Sequence, residues 1–389
     1  MALHRRQVAL GSLVALITVA SLEVTAYLLS TTLPRPKRND IGTLPMIEPD
    51  PITIWRFKPS TPFVYEIEGR RIRSSTNSVG VHDSEWTPLR LGKENRALAF
   101  GDSFSFGWGV ELAQVWWKQL AEISAREGEP LEVFGAGYWF STYDQHYLFF
   151  KQFFPIVRPK LVIYALFPPH VLTELTRVHH FDGAGDLVSV TDPIIAVHEG
   201  RLTYSVDGAN AFSPVEFPFL ISYPRRLLEQ SEFEKRYRRI INLRLRDKVE
   251  YDDPLLKSRA EIMEPGFEKL FVSLRLMDSY SRAHGAEFIA VLIPAVGQVL
   301  AGRLEPVVSA YAREVLSSGY PQDKIVAFCR EHGIVCLDPL AEFRADPGKE
   351  KLYLPTDVHF SPAGHAALAG VVRRYLSTTK APKRPSAAP

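Results

Sequence analysis

Cysteine is scarce in this sequence, with 2 residues among 389. Two cysteines are too few for a zinc framework of cysteine ligands or for a disulfide scaffold. A single bridge between Cys329 and Cys336 is one alternative, and it requires an oxidising compartment. We favour the other alternative, two buried thiols, of which the first ends a helix and the second lies in the next strand.

An excess of charge of one sign is also lacking. Lysine and arginine number 46, aspartate and glutamate 44, and the formal net charge is +2. This balance argues against the broad charged surface that binds nucleic acid or another polyanion. Hydrophobic residues make up 46% of the chain, which indicates a globular protein with a real core. The densest basic group has the spacing of a solvated helix face and comprises Lys235, Arg236, Arg238 and Arg239.

One long hydrophobic run is present near the amino terminus. Residues 8–29 are apolar apart from Gly, Ser, Thr and Glu23, and this length just spans a bilayer as a helix. We interpret residues 1–30 as an uncleaved transmembrane signal-anchor, because the run continues past the candidate cleavage site at residues 24–26. A cleaved signal peptide is the alternative. Basic residues flank the run on both sides, so charge does not decide its orientation, but we expect the following domain to be extracytoplasmic.

The composition divides the rest of the chain. Residues 31–94 are interpreted as a proline-rich linker and a lead-in segment, residues 95–378 as one domain, and residues 379–389 as a disordered tail. Within the domain, short apolar runs alternate with amphipathic stretches, which predicts a parallel α/β sheet covered by helices on both faces. The predicted strands are residues 98–100, 131–134, 161–167, 288–293 and 334–337, and the predicted helices are residues 115–123, 143–154, 267–284 and 363–376, with one more ending near His332.

An insertion at about residues 170–262 interrupts this alternation. Insertions between a strand and a helix of such a sheet commonly form the rim or lid of a site. The pair His179-His180 within it is interpreted as part of a surface loop rather than as metal ligands. The insertion is predicted to contain a β-hairpin and a charged helix, at residues 193–197, 201–204 and 225–246.

The most informative stretch follows the first predicted strand of the domain and reads Gly101-Asp102-Ser103. Sites in parallel α/β folds form at the carboxyl ends of strands, so a serine there is presented to a ligand. Gly107 and Gly109 allow the chain to turn and to approach that ligand closely. The alternative is a polar turn in which the Asp or the Ser caps the following helix. The stretch matches neither the Gly-x-Ser-x-Gly elbow of α/β-hydrolases nor a Ser-x-x-Lys site.

A second motif near the carboxyl end pairs Asp357 with His359. We expect an extended segment, in which residues i and i+2 point to the same side and the carboxylate lies beside the imidazole. A serine hydroxyl needs such a base to act as a nucleophile, and the carboxylate fixes the tautomer of the base. A surface turn and a metal-ligating pair are the alternatives. A metal site would need further ligands, of which His365 is one candidate, and we expect no metal.

Together the two motifs resemble the SGNH, or GDSL-type, family of serine hydrolases. The resemblance covers about residues 95–170 and 265–376, and residues 75–81 resemble the segment before the nucleophile block in membrane-anchored members. It implies a three-layer α/β/α sandwich with a parallel, flavodoxin-like sheet. It also implies a catalytic triad made of Ser103, Asp357 and His359.

The same resemblance implies an oxyanion hole, in which the backbone N–H of Ser103 is the first donor. The second donor would come from the family's second block, which corresponds to residues 134–141 of this sequence. It would be the backbone N–H of Gly137 or of Phe140, according to the alignment. Gly135 stands there in place of the family's usual Asn. A backbone donor tolerates this change, because the side chain does not take part.

The family's third oxyanion donor is an Asn that follows the strand at residues 161–167. This sequence instead has Pro168-Pro169-His170. Pro169 has no N–H to donate, so the imidazole of His170 is the candidate replacement. Removing one oxyanion donor typically costs about 10²–10³ in rate, so an enzyme with the remaining two would still work.

The resemblance therefore implies an esterase that removes an acyl group from an extracytoplasmic glycan or lipid. An O-acyltransferase would use the same triad on a surface polysaccharide, with a sugar hydroxyl in place of water. A degenerate family member would be a binding protein without catalysis. No cofactor and no nucleic-acid partner is expected, and the partners are the acylated substrate and the membrane.

Overall fold

The computed structural model describes Thr18 and Ser21 and residues 46–139, 141–171, 177–191, 195–198, 201–204, 255–300, 314–315 and 317–380. Except for Thr18, Ser21 and Tyr204, these residues belong to one compact unit formed by Ile41–Thr203 and Val249–Pro389. Among the helices of the described residues, none is long and apolar enough to cross a membrane. Apart from Thr18 and Ser21, the predicted anchor lies outside the described residues, as do the basic group and the predicted helix at residues 225–246.

Strands and helices alternate along the described part of the chain. The strands are β1 (Ile47–Asp50), β2 (Ile54–Phe57), β3 (Pro62–Ile67), β4 (Arg70–Ser75), β5 (Arg96–Gly101), β6 (Glu132–Gly137), β7 (Leu161–Leu166), β8 (Val178–Phe181), β9 (Leu187–Thr191), β10 (Ile195–His198), β11 (Arg201–Tyr204), β12 (Glu287–Leu292) and β13 (Val335–Leu337). The α-helices are α1 (Pro88–Leu91), α2 (Ser103–Phe106), α3 (Trp116–Arg126), α4 (Tyr143–Val157), α5 (Ala260–Ala283), α6 (Val296–Val299), α7 (Gln322–Glu331), α8 (Leu340–Ala345) and α9 (Pro362–Lys380).

The domain is built on a parallel five-stranded sheet with the strand order β6-β5-β7-β12-β13. Numbered along the chain, these strands have the order 2-1-3-4-5 of flavodoxin-like folds. The predicted fold is therefore confirmed. The order reverses at β5, because β6 lies on one side of it and β7 on the other. Folds of this kind place their ligands in the crevice outside the carboxyl ends of the strands at this reversal.

Both faces of this sheet are buried, as expected for parallel strands between two helical layers. Along β5, Leu98 and Phe100 belong to one hydrophobic cluster with α4 and α5, whereas Ala97 and Ala99 belong to a second with α3 and α9. Every residue of β7 is buried, which explains its unbroken apolar sequence. Burying one Val, Leu or Ile side chain contributes roughly 1.5–3 kcal/mol, so β7 is a major source of stability.

The lead-in segment contributes to the same core. Within it, β1 pairs with β2 and β3 pairs with β4, both antiparallel. Trp55 and Phe57 of β2 pack against Tyr138, which follows β6, and the rings of Phe57 and Tyr138 stack with their centroids 4.6 Å apart. The rings of Tyr138 and Phe149 of α4 stack in turn. Residues 46–94 are thus packed on the domain through aromatic side chains.

A buried carboxylate joins the lead-in segment to the second block of the domain. Asp83 pairs with Lys118 at 2.7 Å and accepts the backbone N–H of Gly135 at 3.1 Å. A Cβ at Gly135 would lie 2.2 Å from the indole of Trp117. The indole therefore occupies the space that a side chain at position 135 would need.

The described residues of the insertion form two small two-stranded sheets, β8 with β9, which are antiparallel, and β10 with β11. The predicted hairpin is confirmed by β10 and β11. His179 and His180 lie in β8, so their interpretation as part of a surface loop is wrong. Because β9 packs on α4, the imidazole of His179 is brought inward, and its Nε2 lies 3.4 Å from the carboxylate of Asp144. Of these two histidines, only His180 is exposed.

The two cysteines are free thiols, as we favoured. Cys329 is buried in α7, and Cys336 is partly buried in β13. A hydrogen bond with Cys329 and burial raise the pKa of the Cys336 thiol well above its ordinary value. The Cys336 thiol therefore stays protonated at neutral pH and acts as a small apolar side chain.

Candidate active site

Ser103 is the first residue of the short helix α2, at the end of β5. Asp102 caps this helix, because its Oδ1 accepts the backbone N–H of Phe104 at 2.9 Å. Gly101 has a φ of +150°, and a Cβ there would lie 2.1 Å from the carbonyl oxygen of Ala165. The sharp turn therefore requires glycine. The turn leaves Ser103 6% exposed. The motif therefore caps α2 and also presents a serine to a ligand.

Ser105, the other serine of the motif, points into the core. It is fully buried, and its Oγ accepts the indole N–H of Trp116 at 3.3 Å. Its carbonyl accepts the indole N–H of Trp117 at 2.8 Å. Ser105 therefore has a packing role, and Ser103 is the serine of this pair that a substrate can reach.

Asp357 and His359 lie in a loop closed by a β-bridge between Tyr353 and Phe360. Residues 355–359 form bends, so the extended segment that we predicted is wrong. The two side chains meet for another reason. Asp357 Oδ1 accepts the backbone N–H of His359 at 2.9 Å, and this hydrogen bond brings the carboxylate back beside the imidazole.

The fold brings Ser103, Asp357 and His359 together. His359 Nε2 lies 2.7 Å from Ser103 Oγ, and its Nδ1 is hydrogen-bonded to Asp357 Oδ1. Burial alone would raise the pKa of Asp357. Hydrogen bonds from His359 and the charge of the His359 imidazole lower that pKa below the ordinary value. The carboxylate is therefore ionised and accepts the Nδ1–H. This tautomer turns the lone pair of Nε2 toward the serine hydroxyl.

Gly137, one of the two predicted second oxyanion donors, is the last residue of β6. A Cβ there would lie 2.0 Å from the backbone N of Phe106 in α2. Glycine at this position thus lets the nucleophile helix lie directly on the end of β6. The backbone of the second block is therefore close to Ser105 and Phe106 of α2. The donor role of Gly137 stays a prediction.

Phe140, the other predicted second donor, lies outside the described residues. Its neighbour Ser141 is held by a buried chain of hydrogen bonds. The Oγ of Ser141 lies 2.6 Å from the carbonyl of Tyr138 and 2.6 Å from His146 Nε2, and His146 Nδ1 lies 2.9 Å from the hydroxyl of Tyr164. Burial holds the pKa of His146 well below its ordinary value, so the neutral ring accepts one of these bonds and donates the other.

His170, the predicted third donor, belongs to a short 3₁₀ helix after β7, Pro168–His170. Its Nδ1 lies 3.4 Å from Asp102 Oδ2, directly behind the nucleophile, and its side chain is 17% exposed. Burial and the charge of His359 lower the pKa of His170 to about 3, so the ring is neutral. Burial raises the pKa of Asp102 to about 7. The donor role of His170 stays a prediction.

His365, the candidate further metal ligand, lies in α9 and is fully buried. Its Nδ1 accepts the backbone N–H of Trp116 at 3.3 Å. Burial and the charge of His359 lower the pKa of His365 to about 3, so this imidazole is a neutral acceptor at the start of α3. It joins α9 to α3 across one face of the sheet.

The β3–β4 hairpin contacts both loops of the site, and no sequence motif indicated this contact. The hydroxyl of Tyr65 accepts the backbone N–H of Gly109 at 3.0 Å, and Arg70 Nη1 donates to the carbonyl of the same residue at 3.4 Å. At the tip of the hairpin, Glu68 accepts the hydroxyl of Thr356 at 2.9 Å. The hairpin therefore joins the loop after the nucleophile to the loop that carries the acid–base pair.

Three stacked rings lie beside the triad, and we call Tyr65, Trp108 and Trp139 the aromatic wall. The ring of Trp108 stacks on Tyr65 at 4.2 Å and on Trp139 at 4.4 Å. Its centroid lies 6.3 Å from the imidazole of His359. Trp108 and Trp139 are partly exposed, so the wall presents apolar surface next to the reacting groups.

No family model and no curated protein matches this chain. Several solved structures do. The lipase/acylhydrolase from Enterococcus faecalis is 12% identical, with 73% of this chain and 96% of that chain covered and a TM-score of 0.39. The esterase EstA from Pseudoalteromonas sp. is 11% identical (74% and 98% covered, TM-score 0.36). A member of the lipolytic G-D-S-L family from Veillonella parvula is 12% identical (72% and 98% covered, TM-score 0.35).

Proposed function

We propose that this protein is a serine hydrolase that cleaves an ester bond of an acylated glycan or lipid. Ser103 is the nucleophile, His359 the general base and Asp357 the group that orients the base. The observation that carries the proposal is the 2.7 Å contact of His359 Nε2 with Ser103 Oγ, with Asp357 on the Nδ1 side of the same imidazole. A nucleophile, a base and an orienting carboxylate in line are what acyl transfer to serine requires.

The reaction begins when Ser103 Oγ attacks the ester carbonyl carbon and its proton passes to His359 Nε2. The resulting imidazolium is stabilised by the carboxylate of Asp357, which remains ionised. His359 then donates this proton to the departing alcohol as the tetrahedral intermediate collapses. In the second half, His359 removes a proton from water as this water attacks the acyl-enzyme. His359 then returns the proton to Ser103 Oγ as the second tetrahedral intermediate collapses, and the free acid is released.

The oxyanion of each tetrahedral intermediate needs hydrogen-bond donors. The backbone N–H of Ser103 is suited to this role, because the N–H groups of a helix's first turn have no partner within the helix. The second donor is proposed to come from Gly137 or Phe140, and the third from the imidazole of His170. Two backbone donors and one side chain would then surround the carbonyl oxygen.

The aromatic wall supports a substrate with a bulky apolar or ring-shaped part near its ester. The partly exposed indoles of Trp108 and Trp139 offer flat surface within reach of His359. A sugar ring or an acyl chain would bury apolar area on such surface, roughly 25 cal/mol for each Å² removed from water. The same reaction with a sugar hydroxyl in place of water would be acyl transfer.

The proposal is tested with purified full-length protein and an activated acetyl ester, with and without a polysaccharide acceptor. We expect ester cleavage well above the rate of a Ser103→Ala blank, and recovery of the acyl group as free acid in both conditions. Recovery of the acyl group on the polysaccharide would identify the protein as an acyltransferase instead. Absence of cleavage and of labelling by a fluorophosphonate would favour a binding protein.

We also propose that residues 1–30 anchor the protein in a membrane, with the hydrolase domain outside the cytoplasm. The support is the apolar run at residues 8–29. We expect full-length protein to stay in the membrane fraction after washing with high salt and at alkaline pH, whereas a variant without residues 1–30 should be released. A mature amino terminus mapped near Tyr27 would contradict the anchor and indicate cleavage.

A further inference from the structure

Two titratable groups, one buried and one largely buried, lie next to the nucleophile and take no part in the proton transfer between Ser103 and His359. They are the carboxyl group of Asp102 and the imidazole of His170, with Oδ2 and Nδ1 3.4 Å apart. Asp102 is fully buried, whereas the His170 side chain is 17% exposed. Because Nδ1 and Nε2 are on different edges of the ring, Nε2 lies on the edge away from Asp102.

We propose that Asp102 is a positioning residue for His170. A proton shared between its carboxyl group and Nδ1 keeps Nε2 protonated, so that the Nε2–H donates a hydrogen bond to the oxyanion of the intermediate. This inference rests on the proposed ester hydrolysis, because the oxyanion forms only in that reaction. Each carboxyl oxygen of Asp102 then has one function. Oδ1 caps α2 by accepting the backbone N–H of Phe104, and Oδ2 faces the imidazole.

The number of protons on the pair decides whether the donor exists. With two protons, either both groups are neutral or an imidazolium faces a carboxylate, and Nε2 carries a proton in both cases. With one proton, the carboxylate draws it to Nδ1, and Nε2 presents a lone pair that repels an oxyanion. Burial raises the pKa of Asp102 to about 7 and lowers that of His170 to about 3. The pair as a whole therefore loses its second proton near neutral pH.

Other groups around the pair do not produce the same pH dependence. His146 of α4 interacts electrostatically with His170, but burial holds its pKa well below the ordinary value and keeps it neutral. His359 of the acid–base loop also acts on His170. It must be neutral to accept a proton, so its protonation lowers activity at acid pH, which is the opposite direction. Backbone N–H groups around Asp102 favour its ionised form.

The experiment is the pH dependence of kcat/KM for an activated ester, in the full chain with and without Asp102→Asn. The amide oxygen still caps α2, and the amide N–H donates to His170 Nδ1 at every pH. We expect kcat/KM of the wild type to fall as the pH rises above about 7. The kcat/KM of the variant should not fall in this range. The ratio of variant to wild type should rise by roughly 10- to 100-fold between about pH 6 and about pH 9.

Two further variants separate this effect from general damage. His170→Ala should lower kcat by about 10²-fold with little change in KM, and it should abolish the decline at alkaline pH. Adding Asp102→Asn to His170→Ala should then have no further effect on the pH profile, because the group it acts through is gone. Asp338→Asn is the matched control, since Asp338 also has a raised pKa but follows β13 at the far edge of the sheet.

The outcomes distinguish this inference from the proposed function. A constant ratio of variant to wild type, in protein that a fluorophosphonate still labels, overturns the role of Asp102 and leaves the hydrolase intact. A wild type that neither cleaves esters nor is labelled overturns the proposed function itself. If Asp102→Asn does not fold, the pH profile of His170→Ala decides alone, and a persistent alkaline decline in that variant contradicts the inference.

Discussion

Replacement of Ser103 by alanine is expected to lower kcat for ester hydrolysis by about 10⁶-fold, the largest effect of any single change in this protein. The reason is that Ser103 Oγ forms the covalent bond to the acyl group. It lies 2.7 Å from His359 Nε2, whereas Ser105, the other serine of the motif, is buried against Trp116. KM should change little, because binding of the ester does not depend on the hydroxyl.

A fluorophosphonate provides the direct measurement, since it reacts with a serine that a neighbouring base activates. Wild type should be labelled and Ser103→Ala should not. Ser105→Ala is the matched control, because Ser105 is buried against Trp116 and should leave labelling intact unless the core is disturbed. Labelling that persists in Ser103→Ala and disappears in Ser105→Ala would reverse the assignment of the nucleophile.

The fold was predictable where one physical requirement controls the sequence. β7 is buried on both faces, and only an unbroken apolar run such as residues 161–167 satisfies that requirement. The strand order could not be predicted in this way, because no sequence pattern within a strand indicates which strand pairs with it. It came from the resemblance of the two end motifs to a family. The lead-in strands were missed because residues 31–94 were interpreted as a linker and a lead-in segment. β3 nevertheless has the alternation of a half-buried strand, with Phe63 and Tyr65 buried between exposed residues.

The candidate site was predictable to the extent that its residues are neighbours in the chain. Asp357 and His359 are two positions apart, so their contact follows from almost any compact local conformation, and it survived the wrong prediction of an extended segment. Asp102 follows β5, and His170 lies just after β7. Their contact depends on the pairing of these two strands in the sheet, which the sequence around either residue does not show. The stacking of Trp108 depends in the same way on a hairpin far away in the sequence.

Replacement of Asp357 by asparagine is expected to lower kcat by about 10⁴-fold, the second largest effect. The carboxylate accepts both the backbone N–H and the Nδ1–H of His359 through Oδ1. An amide can present its N–H to Nδ1 instead, which moves the ring proton to Nε2. That nitrogen would then point a hydrogen at Ser103 Oγ and could not remove the serine's proton. KM should stay nearly constant, because the loss is confined to the transition state.

The stability of the same variant tests the electrostatic part of the argument. Because the pKa of Asp357 is lowered in the folded protein, its pairing stabilises the fold above the ordinary pKa of about 3.9 and is lost as the pH falls through the lower folded value. Asp357→Asn should therefore weaken the rise of the unfolding free energy with pH in this acid range. Asp338→Asn should instead act at higher pH, because burial raises the pKa of Asp338. Removing this carboxyl group should make the unfolding free energy rise more steeply with pH between about 3.9 and the raised folded value. If Asp357→Asn keeps kcat within about tenfold of wild type, His359 holds its reactive tautomer without the carboxylate, and the triad reduces to a Ser–His dyad.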